Sequence, residues 1–207
     1  MEQTTNIERK ERLLRKVKLN NNGGATLEWK DLFWDTDNQR YIHKEDASTC
    51  DAGVHDDLKN AMDKLIEHLA ICCEMVGEVK GNYRFDGSIK GLEKFSVSSM
   101  VLRGYEHSET EDRTPLQVFI FGNKKLKSGH VTNFGTYGIK LGVPQEKYRF
   151  NAELAVHVAQ VEAEAWAYLE GKVAPPAQQA LDLEDHPQVQ GTMELGPPIA
   201  DAEEVEG

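Results

Sequence analysis

The sequence predicts an α+β fold, in which an antiparallel sheet carries two amphipathic helices on one face. Two segments have apolar residues at the spacing of a helix, and six segments have the alternating or β-rich composition of strands. The segments follow the order strand-strand-strand-helix twice, so a pseudo-duplicated βββα domain fits the sequence, although the halves share no residue-level repeat. Such elements stack as a sheet layer and a helix layer around one core.

Three strands and a loop form the first half of the predicted domain. The alternating KVKL (16–19) opens it, and the NNNGG that follows is turn material. ATLEWKDLFW (25–34) and QRYIHK (39–44) are the second and third strands, joined by a turn at 35–38. Residues 45–53, EDASTCDAG, are expected to form a loop.

The first helix is predicted within VHDDLKNAMDKLIEHLAICCEMV, residues 54–76. Its apolar stripe, with steps of three and four residues, consists of Leu58, Met62, Leu65, Leu69, Cys72 and Val76. Asp51 or a neighbouring loop residue is expected to cap its start, where Asp56 and Asp57 complement the helix dipole. Gly77 is the expected stop. The stripe predicts a strut that packs against the sheet.

The second half begins after a turn-rich stretch. Four segments follow it in order: FSVSSMVLRGYE (95–106, a strand), LQVFIFG (116–122, a strand), NKKLKSG (123–129, a basic turn or hairpin) and HVTNFGTYGIKL (130–141, a strand). LQVFIFG is the most apolar of these, so Phe119 and Phe121 are expected in the core. Gly135 and Gly138 fall inside an apparent strand and predict a bulge or a bend.

The second helix is predicted from Asn151 to about Glu170, with Gly171 at its C-terminal cap. Its buried face is expected to consist of Leu154, Val158, Val161, Ala165, Tyr168 and Leu169. Residues 1–173 are therefore predicted to be a single α+β domain. Residues 174–207, which are rich in Pro, Gln and acids, are predicted to be a disordered acidic tail.

The chain has 207 residues, of which 39% are hydrophobic and 29% are charged. A chain of this length and composition is expected to fold around its own hydrophobic core. The first residues lack the apolar region of a secretory signal, and no apolar run approaches the roughly 18 residues of a membrane span. The adjacent Cys72 and Cys73 lie on the predicted helix, where a disulfide between them is strained. We therefore expect a cytoplasmic protein with no membrane association.

The net charge of −11 is unevenly distributed. The tail 174–207 holds eight acids and no Lys or Arg, which leaves −3 for residues 1–173. Within that part, residues 9–18 have six basic residues against one acid, and residues 80–149 have twelve against seven. The two predicted helices are acidic. The sequence thus predicts a basic sheet region beside acidic helices and an acidic tail.

Motifs of common enzyme classes do not occur in the sequence: G-x-S-x-G, the Walker A loop, the dinucleotide fingerprint and HEXXH are all missing. His68 and Cys72 have the i, i+4 spacing of two zinc ligands, but no second close pair supplies the other two ligands. Cys72 also falls on the apolar stripe, where a buried thiol behaves as a small hydrophobe. We predict a protein that is not an enzyme and has no metal or other cofactor.

Basic and aromatic residues alternate through the sheet region, which is typical of proteins that bind single-stranded nucleic acid through a cationic groove with stacking platforms. The predicted nucleic-acid-binding residues are Lys80, Arg84, Lys94, Arg103, Lys124, Lys125, Lys127, Tyr137 and Lys140. An acidic tail can occupy such a groove until nucleic acid displaces it, or recruit partners. The alternative for the same residues is a solvated lysine-rich surface.

One helix pattern resembles a family of small bacteriophage and prophage proteins. The pattern is H-x-D-L-x-x-A-x-x-x-L-x-x-H-L-x-x-C-x-E, from His55 to Glu74, with K-L-x-S-G-x-V-x-N at 125–133 and Y-L-E-G-K at 168–172. The resemblance covers about residues 10–172 and implies a phage protein of the host cell cytoplasm, in a replication or recombination setting. The tail is similar to the acidic tails of phage and bacterial single-stranded DNA-binding proteins, but it ends EEVEG without their terminal aromatic residue.

The sequence leaves several functions open. The first is a phage accessory protein that binds single-stranded DNA through a basic, aromatic sheet surface. The second is an interaction protein that inhibits or sequesters a host defence protein or its nucleotide signal. An enzyme with a metal at the His68–Cys72 helix and a structural virion protein are weaker alternatives. A homodimer through an open sheet edge is compatible with the predicted antiparallel sheet.

Overall fold

A computed structural model describes residues 7–79, 83–104, 116–143 and 147–175 of the chain. Its strands are β1 (Ile7–Leu19), β2 (Ala25–Asp35), β3 (Arg40–Cys50), β4 (Phe95–Arg103), β5 (Gln117–Lys125), β6 (Val131–Gly135) and β7 (Ile139–Lys140). Its α-helices are α1 (Asp56–Asp63), α2 (Leu65–Cys72) and α3 (Asn151–Leu169), and a 3-10 turn at Leu92–Lys94 precedes β4. The predicted acidic tail lies, from residue 176 onward, outside the described residues.

The strands form one antiparallel sheet in the order β3-β2-β1-β4-β5-β6, and β7 pairs with β5 beside β6. Each half of the chain contributes three consecutive strands that run outward from the centre, followed by helix. The halves meet where β1 pairs with β4. The predicted α+β fold is confirmed, with β7 as an addition to the βββα order of the second half.

All three helices pack on one face of the sheet, which we call the helix face. One core cluster unites buried residues of β1, β2, β4, β5 and β7 with residues of every helix. The cluster includes Val17, Met100 and Ile120 from the strands. It also includes Leu65 and Leu154 from the helices. Because every described helix contributes buried side chains to this cluster, the described residues place no helix over the opposite face, which we call the open face.

The first predicted helix is present but divided. α1 and α2 are separated by Lys64, and the N-cap is His55, whose Nδ1 accepts a hydrogen bond from the backbone N–H of Asp57. The helix ends at Cys72, before the predicted Gly77, and Glu74 adopts a left-handed φ of 54° just beyond it. The predicted stripe is otherwise correct, since its four leucine and methionine positions are fully buried.

Two strand boundaries in the first half differ from the prediction. β3 continues to Cys50 and pairs with β2 along its whole length, so the loop expected at 45–53 is wrong for its first six residues. The stretch EDASTC lacks an apolar alternation because β3 is an edge strand whose side chains remain largely exposed or half-buried. β1 likewise begins at Ile7, far ahead of the predicted KVKL, with charged residues in its exposed first part.

The second half follows the predicted order closely. α3 buries Leu154, Val158, Val161, Ala165 and Tyr168, and Gly171 follows it with a positive φ of 104°. β5 extends through Lys125, so only the later part of NKKLKSG forms the turn. The chain bends between Gly135 and Ile139, where β6 ends and β7 begins, in agreement with the bend predicted from the two glycines.

Replacing Gly122 with alanine is expected to lower the free energy of unfolding by about 1–3 kcal/mol, the usual cost of overpacking a core. A Cβ at this β5 position clashes with the backbone oxygen of Ser96 and approaches the Leu69 Cδ2 to 2.6 Å. The measurement is chemical denaturation beside Gly77→Ala, since Gly77 has open space around it. Equal stability of the two variants contradicts the expected close approach of α2 to β5.

Candidate nucleic-acid interface

Three rows of side chains cross the open face at the centre of the sheet. They follow from strand pairing, because residues directly opposite each other in an antiparallel pair point to the same face. The first row contains Lys18, Ser99, Phe121 and Gly135; the second contains Lys16, Val101 and Phe119; the third contains Arg103, Gln117 and Lys140. Each row carries at least one cation, and the first two carry one phenylalanine each.

Phe119 and Phe121 lie on the open face, so the expectation that they belong to the core is wrong. Phe121 is 40% exposed and Phe119 is half-buried, whereas their neighbours Val118 and Ile120 are fully buried on the helix face. The apolar side chains of β5 therefore point alternately to the open face and to the helix face. Two phenylalanines on adjacent rows stand about 7 Å apart along the strand, since each residue adds about 3.3 Å.

Glycines provide the space in which the two phenylalanine rings lie. A Cβ at Gly135 is 2.6 Å from the Phe121 Cδ1, and a Cβ at Gly138 is 2.7 Å from the Phe119 Cζ. Because neither glycine has a side chain, the rings extend over the backbone of β6 and of the link to β7. The two glycines thus explain the position of the aromatic pair.

Cations surround this aromatic pair. The Arg103 guanidinium carbon is 5.1 Å from the centroid of the Phe119 ring, a cation–π distance. Lys18 is exposed on the first row, and Lys16 Nζ is 2.6 Å from Glu28 Oε1, so the Lys16 charge is already compensated. No ion pair joins Lys18 or Arg103 to a carboxylate of the described residues. These two charges are therefore available to an anionic ligand.

A cleft of about 610 Å³ extends the open face from Arg103 toward β3. Residues of four strands contribute to its lining, among them Arg15, Glu28, Glu45, Ala47, Val101 and Arg103. The Arg15 guanidinium donates to the Gly104 carbonyl at 2.9 Å. The cleft is basic on the β4 side and acidic on the β2 and β3 side. A polyanion on this face is consequently favoured over β1, β4, β5 and β7.

The structure distributes the described sequence-predicted binding residues over five places. Arg103 and Lys140 lie in the third row, and Lys125 and Lys127 lie at the far end of β5 and in the turn after it. Lys94 and Lys124 line a separate cleft on the helix side of the sheet. The remaining described ones are Arg84, in a further cleft beside Tyr83, and Tyr137, exposed in the link before β7. Lys80 lies outside the described residues.

Four charged or aromatic members of the three rows were not among the predicted binding residues: Lys16, Lys18, Phe119 and Phe121. Lys16 and Lys18 belong to the basic stretch 9–18, but only the pairing of β1 with β4 brings them to the basic second half. For the two phenylalanines a signal exists in the sequence. In VFIFG the aromatic residues alternate with Val118, Ile120 and Gly122, which indicates two different faces.

The histidine of the first predicted helix takes part in a buried hydrogen-bonded cluster. His68 Nδ1 is 2.7 Å from the Tyr148 hydroxyl, and His68 Nε2 is 3.0 Å from His157 Nδ1. Its ring stacks on Phe85 with 4.0 Å between centroids. Burial lowers the pKa of His68 to about 3 and raises the pKa of Tyr148. Both ring nitrogens of His68 therefore have protein partners, as expected for a packed strut.

A buried carboxylate anchors the neighbouring loop to the same helix. Glu67 accepts hydrogen bonds from the Tyr83 hydroxyl and from the backbone N–H of Gly87, both at 2.7 Å. Burial raises the pKa of Tyr83. In the described ranges no three His, Cys, Asp or Glu side chains are grouped as a metal site requires. These polar groups hold segments together on the helix face, away from the three rows.

Compared with protein-family models, curated protein sequences and solved structures, the chain matches none. The resemblance to a family of phage proteins therefore stays a prediction. Among the described helices, none combines the length and the apolar character needed to cross a membrane.

Proposed function

We propose that the protein binds single-stranded DNA across the open face, through the three rows of residues centred on Phe119 and Phe121. The observation that carries the proposal is the exposed Phe121 beside Phe119 on a sheet face with no described helix over it. Phenylalanine side chains are normally buried, and an exposed aromatic ring beside a half-buried one among cations suits a base-stacking platform.

The spacing of the two rings suits consecutive bases. Sheet-based single-strand binders stack two or three bases on aromatic side chains of neighbouring positions. Phe119 and Phe121 are two residues apart on β5 and lie on the same face. Stacking on a π-face is tolerant of sequence, so we expect little preference among bases.

The cations on the open face lie where they can contact the phosphate backbone of a bound DNA strand. Lys18 lies at the β1 end of the Phe121 row, while Arg103 and Lys140 form the ends of the third row. Lys125 and Lys127 continue the positive charge past the Phe121 row toward the β5–β6 turn. Phosphates on this path release counterions, so affinity is expected to fall steeply with salt.

The acidic tail is proposed to regulate this site. Its eight carboxylates and lack of Lys or Arg make it a competitor for the same cations. The wider setting, a phage accessory protein in replication or recombination, is proposed on the sequence resemblance alone.

The test is a fluorescence anisotropy titration of labelled single-stranded DNA with the full chain and with residues 1–175, at about 50 and about 300 mM salt. We expect binding that weakens with salt and that tightens when the tail is removed. A duplex of the same sequence is the control, because its bases are not free to stack. Equal affinity for duplex and single strand, or no binding by either protein, overturns the proposal.

The Arg103→Gln variant is expected to reduce the dependence of affinity on salt. Losing one phosphate contact lowers the slope of log K against log salt by roughly 0.7 for a single strand. Lys44→Gln removes the same charge from β3, where Lys44 pairs with Asp46 at 2.7 Å, and is expected to leave the slope unchanged. If the two variants have identical slopes of log K against log salt, the DNA strand binds elsewhere on the protein.

Binding of a host protein is the alternative that the same surface permits, since exposed apolar groups such as Phe121 and Val131 also suit a protein partner. Co-purification of the full chain with host lysate separates the two. A stoichiometric partner that is lost in a Phe121→Ala variant, together with no affinity for DNA, favours the alternative.

A further inference from the structure

A second basic site lies on the other side of the sheet, at the start of β4. It is a cleft of about 420 Å³ between the segment after α2 and the first residues of β4. Three lysines from two segments line it: Lys90 and Lys94 before β4, and Lys124 of β5. We call it the lysine cleft. Lys124 Nζ lies 4.6 Å from the centroid of the Phe95 ring, which fixes its direction on the helix side of β5.

The charges of the lysine cleft are uncompensated within the described part of the chain. No Asp or Glu is among its lining residues, and no ion pair joins these three lysines to a described carboxylate. Ammonium groups gathered without counter-charge repel each other, and a bound anion relieves that repulsion. Lysine is a common phosphate ligand because its ammonium acts as a mobile point charge.

One wall of the same cleft is apolar. Met75, Val76 and Ile89 line it, and Met75 is 38% exposed although it is a large hydrophobic residue. Apolar residues together with three cations in one cleft suit a ligand that has both a flat or apolar part and phosphate groups. The cleft volume falls within the range of small-molecule sites.

We propose that the lysine cleft binds a small phosphorylated ligand of nucleotide size, with its phosphates between Lys90, Lys94 and Lys124 and its apolar part on Met75, Val76 and Ile89. The cleft and the three open-face rows lie on opposite sides of the sheet, since Lys124 and Phe121 point to different faces. The proposal therefore does not depend on DNA binding by the open face.

The experiment is isothermal titration of the full chain with three probes: ADP, inorganic pyrophosphate and adenosine. We expect ADP to bind most tightly, pyrophosphate more weakly and adenosine weakest of the three, because the lysines bind the phosphates and the apolar wall adds contact with the nucleoside. A triple variant, Lys90→Gln, Lys94→Gln and Lys124→Gln, is expected to weaken ADP binding at least tenfold.

The matched control removes three lysine charges elsewhere. Lys10, Lys44 and Lys59 each pair with a surface acid, so their triple change to Gln alters net charge equally without touching the cleft. Circular dichroism melting verifies that both triple variants fold. Equal loss of ADP binding in both variants, or adenosine binding as tightly as ADP, overturns the proposal.

Competition distinguishes this proposal from the first one. ADP at saturation is expected to leave the affinity for single-stranded DNA unchanged, and Phe121→Ala is expected to leave ADP binding unchanged. If ADP displaces the DNA, the lysine cleft is part of a single nucleic-acid path and is not a separate site. If the unaltered chain binds ADP but does not bind single-stranded DNA, only the function proposed for the open face is overturned.

Discussion

A Phe121→Ala variant is expected to bind single-stranded DNA roughly 5- to 150-fold more weakly than the unaltered chain. Removing one stacking platform costs about 1–3 kcal/mol per base. The fold is expected to survive, because Phe121 is 40% exposed and lies outside the core cluster. Anisotropy at about 50 mM salt measures the affinity, and thermal melting verifies that the variant is folded.

Two control variants test whether the loss of affinity is due to the aromatic ring of Phe121. Phe121→Trp keeps a stacking surface and is expected to retain most of the affinity. Val156→Ala truncates a side chain on α3 that is more exposed than Phe121, and no loss is expected there. If the alanine variant at Phe121 binds as tightly as Val156→Ala, the exposed ring has no part in DNA binding.

Gly135→Ala tests the same platform without removing it. The new Cβ comes within 2.6 Å of the Phe121 Cδ1, so the ring has to move from its place over β6. The two nearest atoms belong to the exposed Phe121 ring, and the nearest backbone atom, the Ile120 oxygen, is 3.3 Å away, so we expect a smaller loss of stability than for Gly122→Ala. A weaker affinity for single-stranded DNA with a near-normal melting temperature is the expected combination.

The layer architecture was predictable because helix and strand periodicities are local properties. The stripe from Leu58 to Leu69 and the face from Leu154 to Tyr168 required only spacing. The second half of the edge strand β3 escaped prediction because it has neither an apolar alternation nor a β-branched residue other than Thr49. Its pairing with β2 supplies the order that its own composition does not indicate.

The binding surface was only partly predictable, because it depends on which strands become neighbours. Lys18 meets the row of Phe121 only through the pairing of β1 with β4, about eighty residues apart in sequence. Conversely, Lys124 and Lys125 are adjacent in sequence, yet strand alternation sends them to opposite faces. A count of basic residues along the chain therefore merges two surfaces that the sheet keeps apart.

His68, which has the spacing of a zinc ligand relative to Cys72, instead contributes to the stability of the fold. His68 is completely buried, and its two ring nitrogens contact the Tyr148 hydroxyl and His157 Nδ1. In the neutral tautomer that carries its hydrogen on Nε2, Nδ1 accepts a hydrogen bond from the Tyr148 hydroxyl and Nε2 donates one to His157. A second proton on His68 turns Nδ1 into a donor facing the Tyr148 hydroxyl, whose own hydrogen then loses its acceptor. Folding therefore favours the neutral ring.

The free energy of unfolding is expected to fall as the pH drops below about 6.5. The pKa of His68 is about 3 in the folded chain against an ordinary value of 6.5, so the unfolded state binds a proton that the folded state excludes. The contribution is complete above pH 6.5 and is lost at about 1.4 kcal/mol per pH unit as the pH falls toward 3. Burial also lowers the pKa of His157, which acts in the same direction.

Denaturation between pH 5 and 7 compares the unaltered chain with His68→Gln, which has no titrating ring. We expect the variant to be less stable at pH 7 but to have a shallower pH slope, because the carboxylates and the other histidines are common to both chains. Leu58→Ala is the control: it is destabilised by lost packing alone and should keep the full slope. If NMR shows the imidazole of His68 titrating near pH 6.5 in the folded chain, the buried cluster does not exclude the proton and the expected slope disappears.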